Sequence, residues 1–260
     1  MEKRFTVNQD GYSIRCRLFC NQSPIRQTVL FCHGFGGNKD NMSVKRFAQY
    51  VLPRHSDVSI LAFDWPCHGE DALSKLSLDA CDRYLELMID YARTTLGADT
   101  LYACASSFGA FVILKYISEH HNPFFRIALR CPAVNMYQLV STTLAGEGEQ
   151  EKLTRGKDAL IGFSRKIRIT AAFVEELRQA NITGREYTIF RNQLLILHGT
   201  KDEIVPIDAV RQFAEQNGIS FIPITNADHR FVDPGKMKES IEIIQDFFWP
   251  YSSSDEPFTE

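Results

Sequence analysis

The chain has 260 residues, 44% of them hydrophobic and 23% charged, with a formal net charge of -3 and a pI near 6.2. That length supports one large domain with a deep core, burying about 75% of the surface exposed in the unfolded chain. The charge balance holds no basic excess of the kind that binds nucleic acid, and no stretch approaches the ~20 apolar residues of a membrane span.

The first residues, Met1-Glu2-Lys3-Arg4-Phe5-Thr6, lack the apolar run of a secretory leader, so a cytoplasmic protein with no membrane partner is expected. Seven cysteines, at 16, 20, 32, 67, 81, 104 and 131, sit largely in apolar runs without C-x-x-C spacing. They read as small buried hydrophobes in a reducing compartment, not as metal ligands or disulfides.

In chain order, Tyr12, Ile14, Cys16 and Leu18 alternate with Ser13, Arg15 and Arg17 just after the turn signal Asp10-Gly11, which predicts an antiparallel hairpin with one wet face. Val29–Cys32, Ile60–Phe63, Leu101–Ala105, Ile127–Leu129 and Leu194–Leu197 are nearly unbroken apolar runs, the pattern of strands covered on both faces of a parallel sheet. Between them, Leu78, Cys81, Leu85, Met88, Ile89, Ala92 and Leu96 recur at helical spacing and stop at Gly97. Two further helices are expected, one ending before Gly218 and one before Pro250. Alternating strands and helices predict an α/β fold with a mostly parallel, doubly wound sheet. Residues 132–191 break the rhythm and are charged and helix-forming, so they are expected to form a cap inserted into a core of 1–131 and 192–250. Residues 251–260 are expected to be a flexible tail.

Ligands of open α/β sheets bind at the carboxyl ends of the strands. After the strand ending at Ala105 comes Ser106-Ser107-Phe108-Gly109, then a helical run. A serine on so sharp a turn needs small residues two positions before and after it, which Ala105 and Gly109 supply for Ser107; Ser106 would have Cys104 and Phe108 instead. Ala105-Ser106-Ser107-Phe108-Gly109 thus resembles the G-x-S-x-G nucleophile elbow of the α/β-hydrolase family, with alanine at the first glycine.

The resemblance extends along the chain in family order. Lys201-Asp202-Glu203 follows the 194–197 strand as the acid loop does, and Ala227-Asp228-His229 follows the next strand as the histidine loop does. His33-Gly34-Phe35-Gly36-Gly37 resembles the H-G-x-G oxyanion loop, and Asp64 through Gly69 resembles a structural turn of the same family. The resemblance implies Ser107 as nucleophile, His229 as general base and Asp202 as its orienting acid. It further implies Phe35 and Phe108 as backbone oxyanion donors, His33 in a structural role, and no cofactor or metal. Trp65 is expected to line the pocket, while His198 and Asp228 brace the site. In the cap, Lys152, Arg155, Lys157, Arg165, Lys166 and Arg168 surround Leu160, Ile161 and Phe163; a solvated helical face is the plain reading, recognition of an acidic or phenolic substrate the sharper one.

The size and cap resemble bacterial-type carboxylesterases, including cinnamoyl and feruloyl esterases, which implies hydrolysis of small, short-chain or aromatic carboxylic esters. The same triad also serves peptidases and acyltransferases, and a non-catalytic small-ligand receptor could keep the fold. Nothing in the residues sets oligomeric state.

Overall fold

The computed structural model describes residues 1–22, 24–70, 75–162 and 165–250, so the expected tail at 251–260 and Phe163 of the expected cap lie outside the described residues. An eight-stranded sheet organises the chain. β1 (Glu2–Gln9) and β2 (Tyr12–Cys20) form the N-terminal antiparallel hairpin. Asp10 and Gly11 connect them with φ of 52° and 80°, the pair of left-handed residues that a two-residue hairpin turn requires. β3 (Gln27–Cys32), β4 (Val58–Phe63), β5 (Thr100–Ser106), β6 (Arg126–Arg130), β9 (Leu194–Gly199) and β10 (Ser220–Ile224) run parallel to one another, and the spatial order is β1-β2-β4-β3-β5-β6-β9-β10.

The expected wet face of β2 holds only in its first half. β2 is an interior strand, paired with β1 on one side and β4 on the other, and Arg17 is 5% exposed. Its guanidinium reaches Glu2 at 2.9 Å and Asp40 at 3.2 Å and stacks over Phe19, so the charge is neutralised where alternation alone would leave it in water.

Helices cover both faces. α1 (Met42–Val51) and α8 (Pro234–Phe248) pack one apolar layer through Val44, Phe47, Ile241 and Ile244. α2 (Leu78–Thr94), α3 (Phe108–Glu119) and α7 (Ile207–Asn217) pack the other through Leu85, Met88, Val112, Leu114 and Phe213. Ser77 caps α2 by accepting the Ala80 N–H at 3.2 Å. All seven cysteines are buried and none is in a disulfide.

Between β6 and β9 the chain forms α4 (Met136–Gln138), a π-helical turn at Leu139–Leu144, α5 (Glu147–Thr154) and α6 (Ala171–Gln179). It also forms a small antiparallel hairpin that the charge-rich sequence hides, β7 (Ala159–Ile161) with β8 (Ile167–Ile169). β8 alternates as Ile167-Arg168-Ile169, but β7 is Ala159-Leu160-Ile161 with Leu160 exposed, so its sequence shows no alternation, and three residues are too few to stand out against a helical background. The basic residues of this segment mostly face solvent or local acids: Arg155 pairs with Glu151, and Arg168 pairs with Asp158. Arg165 instead donates to the carbonyl of Gly69, and its own carbonyl faces Gly36, which sets the end of the hairpin over the 33–37 loop.

Candidate active site

Ser107 sits between β5 and α3 with φ 51° and ψ -115°, a conformation costly for a residue with a side chain. The surroundings fix it there. Its N–H donates to the Arg130 carbonyl at 3.0 Å, and its carbonyl accepts from Phe111 N at 3.1 Å and Ala133 N at 3.2 Å. Gly109 allows the turn to be this tight, since a Cβ there would lie 2.6 Å from the carbonyl oxygens of both Cys32 and His33. α3 is thereby drawn against the end of β3, with Phe108 as its first residue, where a helical N–H has no intrahelical acceptor.

The 33–37 loop abuts this turn: a Cβ on Gly34 would lie 3.1 Å from Ser107 Cβ. Trp65 N donates to His33 Nε2 at 3.3 Å, so His33 carries its proton on Nδ1 and donates it to the Gly34 carbonyl at 2.8 Å. Gly37 N donates to the same carbonyl at 3.0 Å. A trans peptide sets C=O and N–H in opposite directions, so with the Gly34 carbonyl tied back by two donors, the Phe35 N–H of that peptide points away from them. Burial lowers the His33 pKa to about 4, which keeps the ring neutral as this pattern demands.

Trp65 does not reach the cleft. It is fully buried, its indole N–H donates to the His33 carbonyl at 3.0 Å, and its ring packs against Phe63 and Phe108. The indole is an apolar body with one donor, and beneath the loop both needs are met. Sequence position at a strand end could not distinguish the layer below the cleft from its wall.

The acid and histidine loops meet because Gly199 lets them. A Cβ there would lie 2.3 Å from the Ala227 carbonyl oxygen, and Lys201 N donates to that same oxygen at 2.9 Å. Asp202 Oδ2 lies 2.7 Å from His229 Nδ1, while its Oδ1 accepts from Ile204 N at 2.8 Å and Val205 N at 2.9 Å. Burial pushes the Asp202 pKa up, but His198, His229 and the Val205 N–H outweigh it and hold the carboxyl well below the ordinary range, so it is ionised. Asp228 is turned elsewhere, accepting the Val232 N–H at 2.9 Å. His229 therefore carries its proton on Nδ1, leaving the Nε2 lone pair free.

Ser107 and His229 line one cleft of about 260 Å³ with the 33–37 loop, Asn41, Ser43, Arg130 and Arg230. A small recess of about 40 Å³, mainly apolar but with Arg230 in its wall, opens from Ser107 and His229 toward Met136, Leu139, Leu144 and Ile204. Cys131, His198 and Asp202 also lie close enough to share a metal ion. His198 Nε2, however, faces two acceptors, the Val205 carbonyl at 3.0 Å and Asp202 at 3.2 Å, so it bears hydrogen instead of a free lone pair, and burial raises the Cys131 thiol well above its usual range. That is a hydrogen-bonded cluster around a carboxylate.

Arg130 was not legible as a site residue, although a signal existed: a charged residue closing the apolar run Ile127-Ala128-Leu129 stands at the carboxyl edge of the sheet, where ligands bind. Asn41 and Ser43 belong to the start of α1, where Asn41 caps the helix by accepting the Val44 N–H at 3.0 Å.

The family model described as alpha/beta hydrolase fold matches residues 27–165, more than half of the chain, and the protein belongs to that family. No curated protein matches the sequence significantly. Among solved structures, Est1E from Butyrivibrio proteoclasticus is 16% identical with a TM-score of 0.73, over 94% of this chain and 97% of that one; another structure of Est1E has ferulic acid bound. A putative hydrolase from Agrobacterium vitis S4 is 17% identical with a TM-score of 0.73, over 95% and 98% of the two chains. The esterase domain of a Rhodothermus marinus protein is 18% identical with a TM-score of 0.69, over 95% and 97%. At these identities the likeness is one of fold. Among the described residues, no helix is long and apolar enough to cross a membrane.

Proposed function

We propose that the protein is a serine hydrolase that cleaves small carboxylic esters through an acyl-enzyme intermediate. The observation that carries this reading is the 2.7 Å contact between His229 Nδ1 and Asp202 Oδ2, made beside a serine held at φ 51° in the same cleft. Ser107 Oγ attacks the ester carbonyl carbon and its proton passes to His229 Nε2, while Asp202 stabilises the imidazolium. The oxygen that gains charge is met by the Phe35 and Phe108 N–H groups, each donor contributing about 3 to 4 kcal/mol. The imidazolium then gives its proton to the departing alcohol, and a water activated by His229 releases the carboxylic acid and regenerates the serine.

Est1E, with its bound ferulic acid, makes aromatic acyl esters a sensible part of the substrate panel. The test is turnover of p-nitrophenyl and hydroxycinnamate esters, with Ser107→Ala as control and intact-protein mass spectrometry to trap the acylated serine. Ser107→Ala is expected to lose ~10⁴-fold or more in turnover, at least ~5 kcal/mol of transition-state stabilisation. Full activity in that variant would sink the reading.

A further inference from the structure

Arg130 closes β6 and lines the cleft beside Ser107 and His229, yet it is only 9% exposed and pairs with no carboxylate among the described residues. A guanidinium offers five N–H donors. One nitrogen, Nη2, reaches Ser43 Oγ at 3.2 Å; another, Nη1, reaches only the weak acceptor Met237 Sδ at 3.2 Å; Nε has no partner among the described residues. The face of the group lies 5.1 Å over the Phe231 ring. Asp228 acts on the guanidinium only through space, and that carboxylate is engaged by the Val232 N–H. Burying a cation without an ion pair is expensive, and proteins seldom do so without an anion to meet it.

The rest of the cleft points the same way. Arg230 lines it, is exposed, and forms no ion pair among the described residues. α1 directs its N-terminus at the cleft through Asn41 and Ser43, the end of a ten-residue helix that favours negative charge. Among the described residues, no Asp or Glu lines it. The recess toward Met136, Leu139 and Leu144 is lined mainly by apolar residues and meets the cationic side at Arg230, which lines both spaces, whereas Arg130 lines the cleft and not the recess. The site therefore has a cationic end at Arg130 and a small, mainly apolar recess, with Arg230 and the reacting pair where the two meet.

We infer that the substrate is a small ester bearing a carboxylate, which docks on Arg130 with help from Arg230 while its apolar part enters the recess under the cap. This rests on the ester-hydrolase reading of the same cleft. An anion on Arg130 would give the guanidinium the charged acceptor that its protein neighbours lack, and the planar fork suits a carboxylate bidentately.

The experiment compares kcat/KM by pH-stat for ethyl butyrate with monoethyl succinate, which places the charge on the acyl side, and with the butyryl ester of glycolate, which places it on the alcohol side. One charged ester should exceed the neutral one by about tenfold or more. That ratio should fall about tenfold in Arg130→Gln, by less in Arg130→Lys, and several-fold in Arg230→Ala, whose exposed position leaves folding intact. Succinate should inhibit ethyl butyrate hydrolysis competitively and succinamide should not. If Arg130→Gln does not fold, the wild-type ratio, the inhibition and Arg230→Ala decide the matter. Ratios near one for both charged esters, with no inhibition by succinate, would overturn the inference and leave the esterase reading standing. Stronger inhibition by inorganic phosphate than by succinate would overturn the carboxylate in favour of a phosphorylated ligand. If no ester is turned over, a rise in Tm with succinate beyond that with sodium chloride of equal ionic strength would uphold the anion site while the esterase reading fell.

Discussion

His198 Nε2 lies 3.2 Å from the same Asp202 oxygen that faces His229 Nδ1 at 2.7 Å, so two imidazole N–H groups converge on one carboxylate. His198 is fully buried and also donates to the Val205 carbonyl at 3.0 Å, which fixes its ring and, through it, the Asp202 rotamer. His198 acts as a positioning residue. Its replacement by Phe, which keeps the ring and removes the donor, should lower kcat about 10- to 100-fold, the worth of one buried hydrogen bond to a charged group. A carboxylate deprived of that donor is more basic and holds the His229 imidazolium more tightly, so the acid limb of the kcat/KM profile should move to higher pH. A fall in Tm with an unmoved profile would mean that His198 only packs the loop.

The two acids of the histidine and acid loops should separate sharply. Asp202→Asn removes the negative charge opposite His229 and disturbs its tautomer, and should cost about 10⁴ in kcat. Asp228 caps the turn at Val232 instead, so Asp228→Asn should stay within about tenfold of wild type. Single-turnover kinetics on both variants, with one ester at saturation, would check this; equal losses would mean that the observed pairing is not the one used in turnover.

Much of this was readable because its causes are local. Unbroken apolar runs marked β3 to β6 and β9, a left-handed Gly218 closes α7 as expected, and the small residues around Ser107 follow from a turn whose backbone has no room. What escaped depends on neighbours distant in sequence. Arg17 is buried because Glu2 and Asp40 come to it, Trp65 is hidden because His33 and Phe108 roof it, and Arg130 faces the cleft because α1 and α8 leave it there. A charged or aromatic residue at a strand end has several possible surroundings, and only tertiary packing chooses among them.

Stability should fall early in acid. Burial lowers the pKa of His33 to about 4 and that of His68 to about 3, below the ordinary 6.5 of the unfolded chain. From pH 6.5 down to about 4 for His33 and about 3 for His68 the unfolded state binds protons that the folded state refuses, so this contribution is complete above pH 6.5 and drains away as pH falls, on the order of several kcal/mol in all. Asp202, held ionised in the fold, adds a loss that begins only near the ordinary carboxylate range. Urea unfolding at pH 7.0, 5.5 and 4.5 should show most of the decline before the carboxylates titrate. His68→Phe, which preserves the stacking on Phe108, should flatten it; an unchanged slope would assign the acid sensitivity elsewhere.

Chain length should decide among neutral esters, with acetyl, butyryl and feruloyl esters hydrolysed far better than palmitoyl. The apolar recess beside Ser107 is small, about 40 Å³, and the larger cleft of about 260 Å³ is walled by Arg130, Arg230, Asn41 and Ser43, which a long hydrocarbon chain would have to desolvate without return. The overlying segment offers little else. Phe173 and Leu177 of α6 are buried in packing, α5 has no buried residue, and the surface that remains is dense in charge from Glu147 and Glu149 to Lys166 and Arg168. A lid that docks on lipid presents a broad apolar face instead. Aromatic acyl groups remain compatible, because Phe35 lines both spaces, edge-on to Phe108, and gives a ring something flat to pack on. The measurement is kcat/KM for acetyl, butyryl, feruloyl and palmitoyl esters of one alcohol below the micelle concentration. Shortening Leu139 to Ala should enlarge the recess and raise the rate for longer acyl chains relative to acetyl, whereas a wild-type preference for palmitoyl would show that the overlying helices move aside to uncover an apolar surface, and that the recess seen between Met136 and Ile204 is not the acyl site.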